Sequence, residues 1–380
     1  MKLLELYRGR EQTYLKHFFL ERYLERVAYN IGSSPSFTSL TYVDGFSGPW
    51  KSADDAFEDT SFMLAIRILR RVREGLSRIG RSFKASCIFI EKDPASFVKL
   101  RNASAIVKDF DIQLIHREFE DAIPAVLDLI GRSFSLTFVD PTGWTGFALN
   151  RIRPLLNHRP GEVIINFMYG YINRFVADPR PEVVATFDQL FGGLGWEATV
   201  RTPYHREEQI VSFYQERVRL VGDFAHVTHT CILKPISDRS YFYLVYGTRH
   251  PKGLLEFRDV EKKVTKEQGI ARSAAKQRDR MSRTGQDELF DGSTMLPGSF
   301  EQEETTQLKA ARATLLRLVK ERGRISYEDA RTILSEMPLL WESRIKRIIL
   351  DLRKAKEIDI EGLNPPRRTP QPGHMLVQAK

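Results

Sequence analysis

Cysteine is almost missing from this chain, since Cys87 and Cys231 are the only two among its 380 residues. Two cysteines cannot form a disulfide framework or a cysteine-rich metal site, and each stands inside an apolar run. We therefore expect two buried thiols in a reduced, intracellular protein. The histidines are scattered without the spacing of metal ligands, so the sequence predicts no metal site.

Long apolar runs and a secretory signal pattern are absent as well. No stretch approaches the about 18 consecutive apolar residues that suggest a membrane span, and the amino terminus lacks a signal-peptide pattern. We expect a cytoplasmic location and no membrane partner. The net charge of +9 favours a polyanionic partner, either DNA or RNA, although a basic surface can also serve solubility alone.

Strand-like and helix-like patterns alternate along most of the chain after an amphipathic helix at residues 11–28. Short apolar runs mark the strands, and apolar residues at spacings of three and four mark the helices. This alternation predicts an α/β fold with helices on both faces of a parallel sheet. The predicted strands of that sheet are residues 40–44, 86–90, 113–116, 136–139 and 162–167.

The pattern changes after the fifth strand and its helices. Two apolar runs at residues 227–235 and 241–248 are separated by a short polar turn, which predicts an antiparallel hairpin at one edge of the sheet. Five parallel strands followed by such a hairpin resemble the Rossmann-like sheet of class I methyltransferases.

Four acidic residues stand at or just after the ends of the first four predicted strands: Asp44, Glu91, Glu118 and Asp140. Ligands of open α/β sheets bind outside the carboxyl ends of the strands, so four acids at one edge predict a binding site. A single acid there could equally be a helix cap or a solvated turn residue. The first acid opens the turn DGFSGPW, whose glycines let the backbone approach a ligand.

The spacing of these acids favours S-adenosylmethionine (SAM) over a nicotinamide cofactor. Glu91 can accept both ribose hydroxyls of an adenosine group, but it follows the glycine turn at far more than the about 20 residues of the dinucleotide fingerprint. Glu118 and Phe119 can meet the adenine amino group and ring face. The predicted cofactor-binding residues are Asp44, Gly45, Phe46, Gly48, Glu91, Asp93, Glu118, Phe119 and Asp140.

The loop DPTGW after the fourth strand is expected to lie beside the transferable methyl group. Asp140 and Pro141 begin this loop, and Trp144 can stack on a planar acceptor. Asn166 ends the fifth strand, where a polar side chain needs a partner. Asn166 either contacts substrate or ties two loops together. The predicted catalytic residues are Asp140, Pro141, Trp144 and Asn166.

Five stretches resemble the three-Cys-motif partner proteins (TcmP), bacterial proteins encoded beside a protein with a cysteine motif. They are YVDGFSGP (42–49), FIEKDP (89–94), FVDPTGW (138–144), INFMYGYINRF (165–175) and YGTRHPKGL (246–254). The resemblance implies a methyltransferase-like domain and a three-Cys-motif protein as partner, and it carries over Asp44, Gly48, Glu91 and Asp140 as site positions. Two departures are Trp50, where related turns have a last glycine, and Thr142–Gly143, where DNA amino-methyltransferases have a proline and an aromatic residue.

The end of the chain predicts a winged-helix domain. The chain is predicted to begin with a helical segment (1–36) and a methyltransferase-like domain (37–260), followed by a basic arm and polar linker (261–304). Residues 305–380 then carry three helix patterns and two strand patterns. A basic helix face and a basic loop predict DNA contacts, although many winged helices bind proteins instead. The predicted nucleic-acid-binding residues are Arg344, Lys346, Arg347, Arg353, Lys354, Arg367 and Arg368.

Three functions agree with these patterns. The first is a SAM-dependent methyltransferase acting on nucleic acid, with the winged helix positioning the substrate. The second is a non-catalytic SAM-binding or adaptor partner of a three-Cys-motif protein, suggested by Trp50 and the unusual loop after Asp140. The third is a metal-dependent nucleic-acid enzyme, for which carboxylates would have to converge on ions about 4 Å apart.

Overall fold

The structure is a computed structural model that describes residues 5–48, 52, 57–193, 195–200, 205–284, 298–363 and 368–379. Three residues named above, Pro49, Trp50 and Arg367, lie outside this part of the chain. The strands of the larger unit are β1 (Ser39–Asp44), β2 (Lys84–Ile90), β3 (Asp111–Ile115), β4 (Phe134–Val139), β5 (Gly161–Phe167), β6 (His226–Leu233) and β7 (Ser240–Thr248).

These strands form one mixed sheet in the order β3-β2-β1-β4-β5-β7-β6. β1 lies at the middle of the parallel part, with β2 on one side and β4 on the other, so that Tyr42 faces Cys87 and Leu136 in register. β7 runs antiparallel to both β5 and β6. The predicted α/β class is therefore confirmed as a mostly parallel mixed sheet with helices, which is compatible with a Rossmann-like fold.

Helices connect the strands and cover the sheet. Thr60 ends the segment before the second helix, where its hydroxyl oxygen accepts a hydrogen bond from the Met63 N–H at 3.4 Å and so satisfies one free donor of the first turn. The helices are α1 (Glu11–Gly32), α2 (Ser61–Arg78), α3 (Pro94–Ala105), α4 (Phe119–Ile130), α5 (Leu149–Leu156), α6 (Tyr169–Phe175), α7 (Pro181–Phe191), α8 (Trp196–Val200), α9 (Arg206–Gly222) and α10 (Pro251–Thr284).

Alternation along each strand gives the sheet two apolar faces. Tyr42 and its neighbour Val43 are both fully buried, but they belong to different apolar clusters because successive side chains point to opposite faces. One cluster packs α1, α2 and α10 on the sheet, and the other packs α4, α5, α7 and α9 on it. Burial on both faces fixes the register of the strands, because a shift by one residue would move every side chain of a strand to the opposite face of the sheet.

A smaller unit follows α10. It contains the helices α11 (Gly298–Arg322), α12 (Tyr327–Ser335) and α13 (Glu342–Lys354). Its three-stranded antiparallel sheet has the order β8 (Arg324–Ser326), β10 (Met375–Gln378) and β9 (Ile358–Glu361). α11 begins at Gly298, inside the stretch predicted as a linker. Its cluster of apolar side chains is separate from those of the larger unit.

A buried ion pair on α10 joins the two units. Arg258 and Glu261 are 1% and 0% exposed, and Arg258 Nη1 donates to Glu261 Oε2 at 2.7 Å. The same guanidinium donates to the carbonyl oxygens of Ser335 and Glu336 at the end of α12, at 2.7 and 3.1 Å. Removing either partner would leave an uncompensated buried charge, so this pair fixes how α12 sits on α10.

The long helix α10 extends across residue 261, where the basic arm was predicted to begin, and it carries that arm as a continuous helix as far as Thr284. Several of its basic side chains are engaged within the chain; Arg272 pairs with Asp238, and Arg278 pairs with Glu11. Among the helices in the described residues, none is both long and apolar enough to cross a membrane.

Candidate active site at the carboxyl ends of the strands

The central strand β1 delivers Asp44 onto the predicted turn. Asp44 is fully buried; its Oδ1 accepts from the Phe46 N–H at 3.1 Å and its Oδ2 from the Ser61 hydroxyl at 2.7 Å. Gly45 is required here by close approach, since a Cβ on it would lie 2.8 Å from the ring of Phe119. The turn therefore packs directly on the first residue of α4.

Burial raises the pKa of Asp44 to about 6, although the Ser61 hydroxyl and the Phe46 N–H oppose this rise. The nearby carboxylate of Asp140 adds to the increase, and Lys16 reduces it. A carboxyl group with a raised pKa carries a cost when it ionises inside the fold. Such costs concentrate at functional sites, so the pKa supports the assignment of Asp44 to a site.

Glu91 directly follows β2 and is 2% exposed. Its Oε1 accepts from the Asp93 N–H at 2.6 Å, whereas its Oε2 is buried without a hydrogen-bond partner among the described residues. Burial raises the pKa of Glu91, and the backbone N–H groups of Asp93, Lys92 and Gly48 work against this rise. A buried carboxylate oxygen without a donor is costly, which points to a donor supplied by a ligand.

Two of the other predicted cofactor residues have structural partners. Asp93 caps α3, because its Oδ1 accepts from the Ser96 N–H at 2.8 Å. Phe119 is 2% exposed and packs against Phe46 with ring centroids 5.4 Å apart, so its ring face is covered. The sequence pattern did not separate such capping and packing roles from ligand contacts.

Glu118 lies at the edge of the site and is exposed. Its Oε1 is 3.3 Å from Lys92 Nζ, and the two side chains are 52% and 56% exposed. It remains accessible to a ligand, in contrast to Phe119 beside it.

Asp140 is held by two side chains from different parts of the fold. Lys16 Nζ lies 2.5 Å from Asp140 Oδ2, and both side chains are only 13–14% exposed. Asn166 Nδ2 donates to Asp140 Oδ1 at 2.6 Å. Asn166 therefore ties the ends of β4 and β5 together, which was one of its two predicted roles. Its Oδ1 is buried without a partner among the described residues, so a ligand contact is still open to it.

Lys16 was not predicted as a site residue. The sequence assigns it to a polar face of the first helix, and helical spacing places Gln12 on that same face one turn earlier. What that face contacts depends on a packing partner 124 positions away along the chain. Periodicity alone therefore indicated which residues share a face but not that the face closes the site.

Lys16, Asp140 and Asn166 line a cavity of about 330 Å³, whereas Asp44, Glu91 and Glu118 are not among its lining residues. α1 forms one wall with Gln12 and Lys16, and Phe46 and Gly48 of the turn after β1 contribute to the lining. The Gln12 Oε1 is a second buried acceptor without a partner among the described residues, in addition to the Asn166 Oδ1. The remaining lining residues that matter for an acceptor are Asp140, Pro141, Thr142, Asn166, Tyr171 and Tyr241.

Trp144 lies outside the residues that line this cavity. Its ring stacks on Phe175 at a centroid distance of 5.9 Å and packs on Phe187 at 4.3 Å, within the apolar cluster beneath α7. Tyr171 is 42% exposed and lines the cavity, so it is better placed than Trp144 to stack on a planar ligand.

His17 also lines the cavity but is a poor acid or base at neutral pH. Burial lowers the pKa of His17 to about 3, and the charge of Lys16 lowers it further. The Tyr7 hydroxyl and His17 Nδ1 are 2.9 Å apart. We infer that His17 is a neutral packing residue behind Lys16.

Three of the predicted nucleic-acid contacts on α13 are engaged within the protein. Arg344 pairs with Glu304 and stacks on Trp341. The other two ion pairs, each with a nitrogen-to-oxygen distance of 2.9 Å, are Lys346 with Glu342 and Arg353 with Asp359. The exposed members of the predicted set are Arg347, Arg353, Lys354 and Arg368.

A scan against protein-family models and a search of curated proteins both find no match. Family membership and function therefore rest on the residues described above.

Asp44→Asn should stabilise the protein at neutral pH and not in acid. A folded-state pKa of about 6 lies above the ordinary aspartate value of 3.8, so wild-type stability falls as the pH rises from the lower of these values to the higher. Two pKa units correspond to about 3 kcal/mol, and this cost is fully present above pH 6. Urea unfolding of both proteins at pH 4 and pH 7 measures it. A stability difference that does not change with pH would contradict the raised pKa.

Proposed function

We propose that the larger unit binds SAM and transfers its methyl group to nucleic acid, and that the chain is a TcmP-like protein. The sheet order supports this, because five parallel strands are followed by the hairpin β6–β7 with β7 next to β5. Asp44, Glu91 and Asp140 follow strands that lie side by side. Ligands of open α/β sheets bind at this edge.

The observation that carries the proposal is the unpartnered Oε2 of Glu91. A ribose presents two neighbouring hydroxyl donors, and a carboxylate fixed through its other oxygen by a backbone N–H is oriented to accept from them. Binding would give Oε2 the donor that it lacks, so the free energy gained includes relief of a buried unsatisfied group. Its place at the carboxyl end of β2 distinguishes Glu91 from Glu261 and Glu328, which also carry a buried oxygen without a partner among the described residues.

The residues at this edge also fit the charge of SAM. When bound, SAM supplies an activated methyl group on a positively charged sulfur. The buried carboxylates of Asp44 and Glu91 offer negative charge in a poorly solvated site, where attraction to a cation is stronger than in water. Lys16 neutralises Asp140 and orients one of its oxygens.

The acceptor would enter through the cavity between α1 and the end of β5. Asn166 Oδ1 and Gln12 Oε1 are acceptors without donors there, which favours a substrate with N–H groups such as the exocyclic amine of a base. Tyr171 and Tyr241 line the same cavity and can stack on an extruded base. They replace Trp144 in the stacking role.

The smaller unit is proposed to be a winged helix that positions nucleic acid. Three helices and a three-stranded antiparallel sheet support this, since the loop between β9 and β10 takes the place of a wing. Arg347 and Lys354 lie on the exposed side of α13, and Arg368 lies in that loop. Exposed cations of this kind bind phosphates.

A non-catalytic SAM-binding partner of a three-Cys-motif protein is the second candidate. The ion pair between Lys16 and Asp140 favours it, because both oxygens of this carboxylate already have partners. Catalysis would require an acceptor amine to share or displace one of these contacts.

SAM should bind the purified protein, and Glu91→Ala should weaken this binding by about 10–100-fold, since it removes charged hydrogen bonds worth about 1.5–3 kcal/mol. Isothermal titration calorimetry with SAM and its demethylated product gives the affinities. Asp128→Ala, which removes an exposed acid on α4, is the matched control and should bind like wild type. Equal affinities for all three proteins would remove Glu91 from the site.

Asp140→Ala should lower the rate of methyl transfer far more than the affinity for SAM, because its contacts with the acceptor amine form as charge develops there. The assay is tritium transfer from labelled SAM to DNA and to RNA, with and without a three-Cys-motif protein. Lys16→Met tests the ion pair separately and should change the pH dependence of the rate. Tight SAM binding without transfer under any of these conditions favours the non-catalytic candidate.

Arg347→Ala should reduce the slope of log affinity against log salt by about 1, as expected for one lost phosphate contact. Arg353→Ala is the matched control on the same helix, because Arg353 is held by Asp359. Fluorescence anisotropy with a labelled duplex over a range of salt concentrations measures both slopes. If the two variants and wild type share one slope, α13 does not contact phosphates and binds another kind of partner.

A further inference from the structure

A second cavity, larger than the one at the proposed active site, lies elsewhere in the described part of the chain. It has a volume of about 650 Å³ and lies at the opposite edge of the sheet, where β4 and β5 begin. The end of α1 and the start of α10 close it. Its size is in the range of pockets that bind small organic ligands.

The stretch YGTRHPKGL belongs to this cavity and not to the active site. Five of its residues line the cavity: Thr248, Arg249, His250, Lys252 and Gly253. The other four stretches of resemblance contain the residues assigned to the active site. The methyltransferase proposal therefore leaves YGTRHPKGL without a role.

Most of the exposed lining is apolar. Phe37 and Phe134 meet edge to face with ring centroids 6.2 Å apart and form one wall. The other apolar lining residues come from α1 and from the turns before β1 and β5: Val27, Ile31, Pro35 and Pro160. An apolar wall of this extent is stabilised by an apolar occupant that displaces water.

The polar groups of the inner wall already have partners. Glu162 is buried, and its oxygens accept from the hydroxyls of Thr248 and Tyr23, each at 2.8 Å. A Cβ on Gly253 would lie 2.3 Å from Glu162 Oε1, so glycine lets the start of α10 close over this group. Each oxygen of the Glu162 carboxylate therefore already has a donor from the protein.

The mouth of the cavity has an unusual charge distribution. α10 is 34 residues long and begins at Pro251, immediately after Arg249 and His250 and just before Lys252, and its first turn contains no acidic residue. The amino end of a helix is its positive end, where cations are unfavourable and anions are favourable. Arg249 and Lys252 place positive charge at this end of α10, where the Lys252 N–H already donates to His250 Nδ1, and the first turn contains no acid.

Neighbouring ion pairs do not cancel this positive charge. Glu256 pairs with Arg26, and Arg159 pairs with Asp223, so these four charges compensate one another. The Arg249 guanidinium donates to five main-chain carbonyl oxygens and to no carboxylate. Lys252 is exposed at the mouth, so its ammonium group is available to an anion.

We propose that this cavity is a second ligand site that binds an amphipathic organic anion, with an apolar body against Phe37 and Phe134 and an acidic headgroup at Lys252 and the amino end of α10. The apolar wall selects the body, and the exposed ammonium group of Lys252 selects the charge. The site is separate from the proposed methyltransferase site and does not depend on that function.

A matched pair of fluorescent probes tests the proposal on the full-length protein. 1-Anilinonaphthalene-8-sulfonate has an apolar body and one sulfonate, and N-phenyl-1-naphthylamine has the same ring system without the charge. We expect saturable binding of the sulfonate probe at one site. Lys252→Glu should weaken binding of the sulfonate probe by about tenfold or more, because it replaces attraction by repulsion at the headgroup. It should leave the affinity for the neutral probe within about twofold of wild type.

Two further variants complete the test. Lys108→Glu makes the same charge change at an exposed lysine outside the cavity and should affect neither probe. Asn30→Trp fills the cavity from the last turns of α1 and should abolish binding of both probes. Equal weakening of the sulfonate probe by both lysine variants would overturn the proposal, as would full binding by a folded Asn30→Trp protein. If Asn30→Trp does not fold, the comparison of the two lysine variants decides.

Discussion

The position of β1 between β2 and β4 is the constraint on which the rest of the site depends. Parallel pairing on both sides brings the carboxyl ends of the three strands to one edge, so Asp44, Glu91 and Asp140 lie at the same edge although they are far apart in sequence. Burial of both sheet faces holds that register. The sheet topology therefore places the acids at one edge, and no local sequence motif is needed to do so.

Gathering acids at a buried edge costs free energy. Burial raises the pKa of Asp44 and of Glu91, and Asp140 adds to the rise at Asp44. The chain offsets part of this cost with Lys16, backbone N–H groups and the Ser61 hydroxyl. It leaves acceptors on Glu91, Asn166 and Gln12 without donors. These acceptors and buried carboxylates would bind most favourably a positively charged ligand with several hydrogen-bond donors.

Periodicity and turn chemistry predicted the α/β class. Local chemistry also accounts for the start of α12, where the Asp329 N–H donates to Ser326 Oγ at 3.0 Å. Contacts between distant segments could not be predicted from those patterns. Lys16 reaches Asp140 only through tertiary packing, and Trp144 is drawn into an aromatic cluster with α7. Asp93 follows an apolar strand as the site acids do, but its side chain caps the amino end of α3.

The helix α1 links the two edges of the sheet. Its first turns line the active-site cavity through Gln12 and Lys16, and its last turns line the larger cavity through Val27 and Asn30. Its 22 residues form a rod of about 33 Å, packed along the sheet with α2 and α10. Close-packed protein interiors are hard to compress, so packed elements transmit a displacement mainly by moving as rigid units and little by bending. A shift of α1 would therefore change both cavities together, whereas a substitution at Lys252 changes only one.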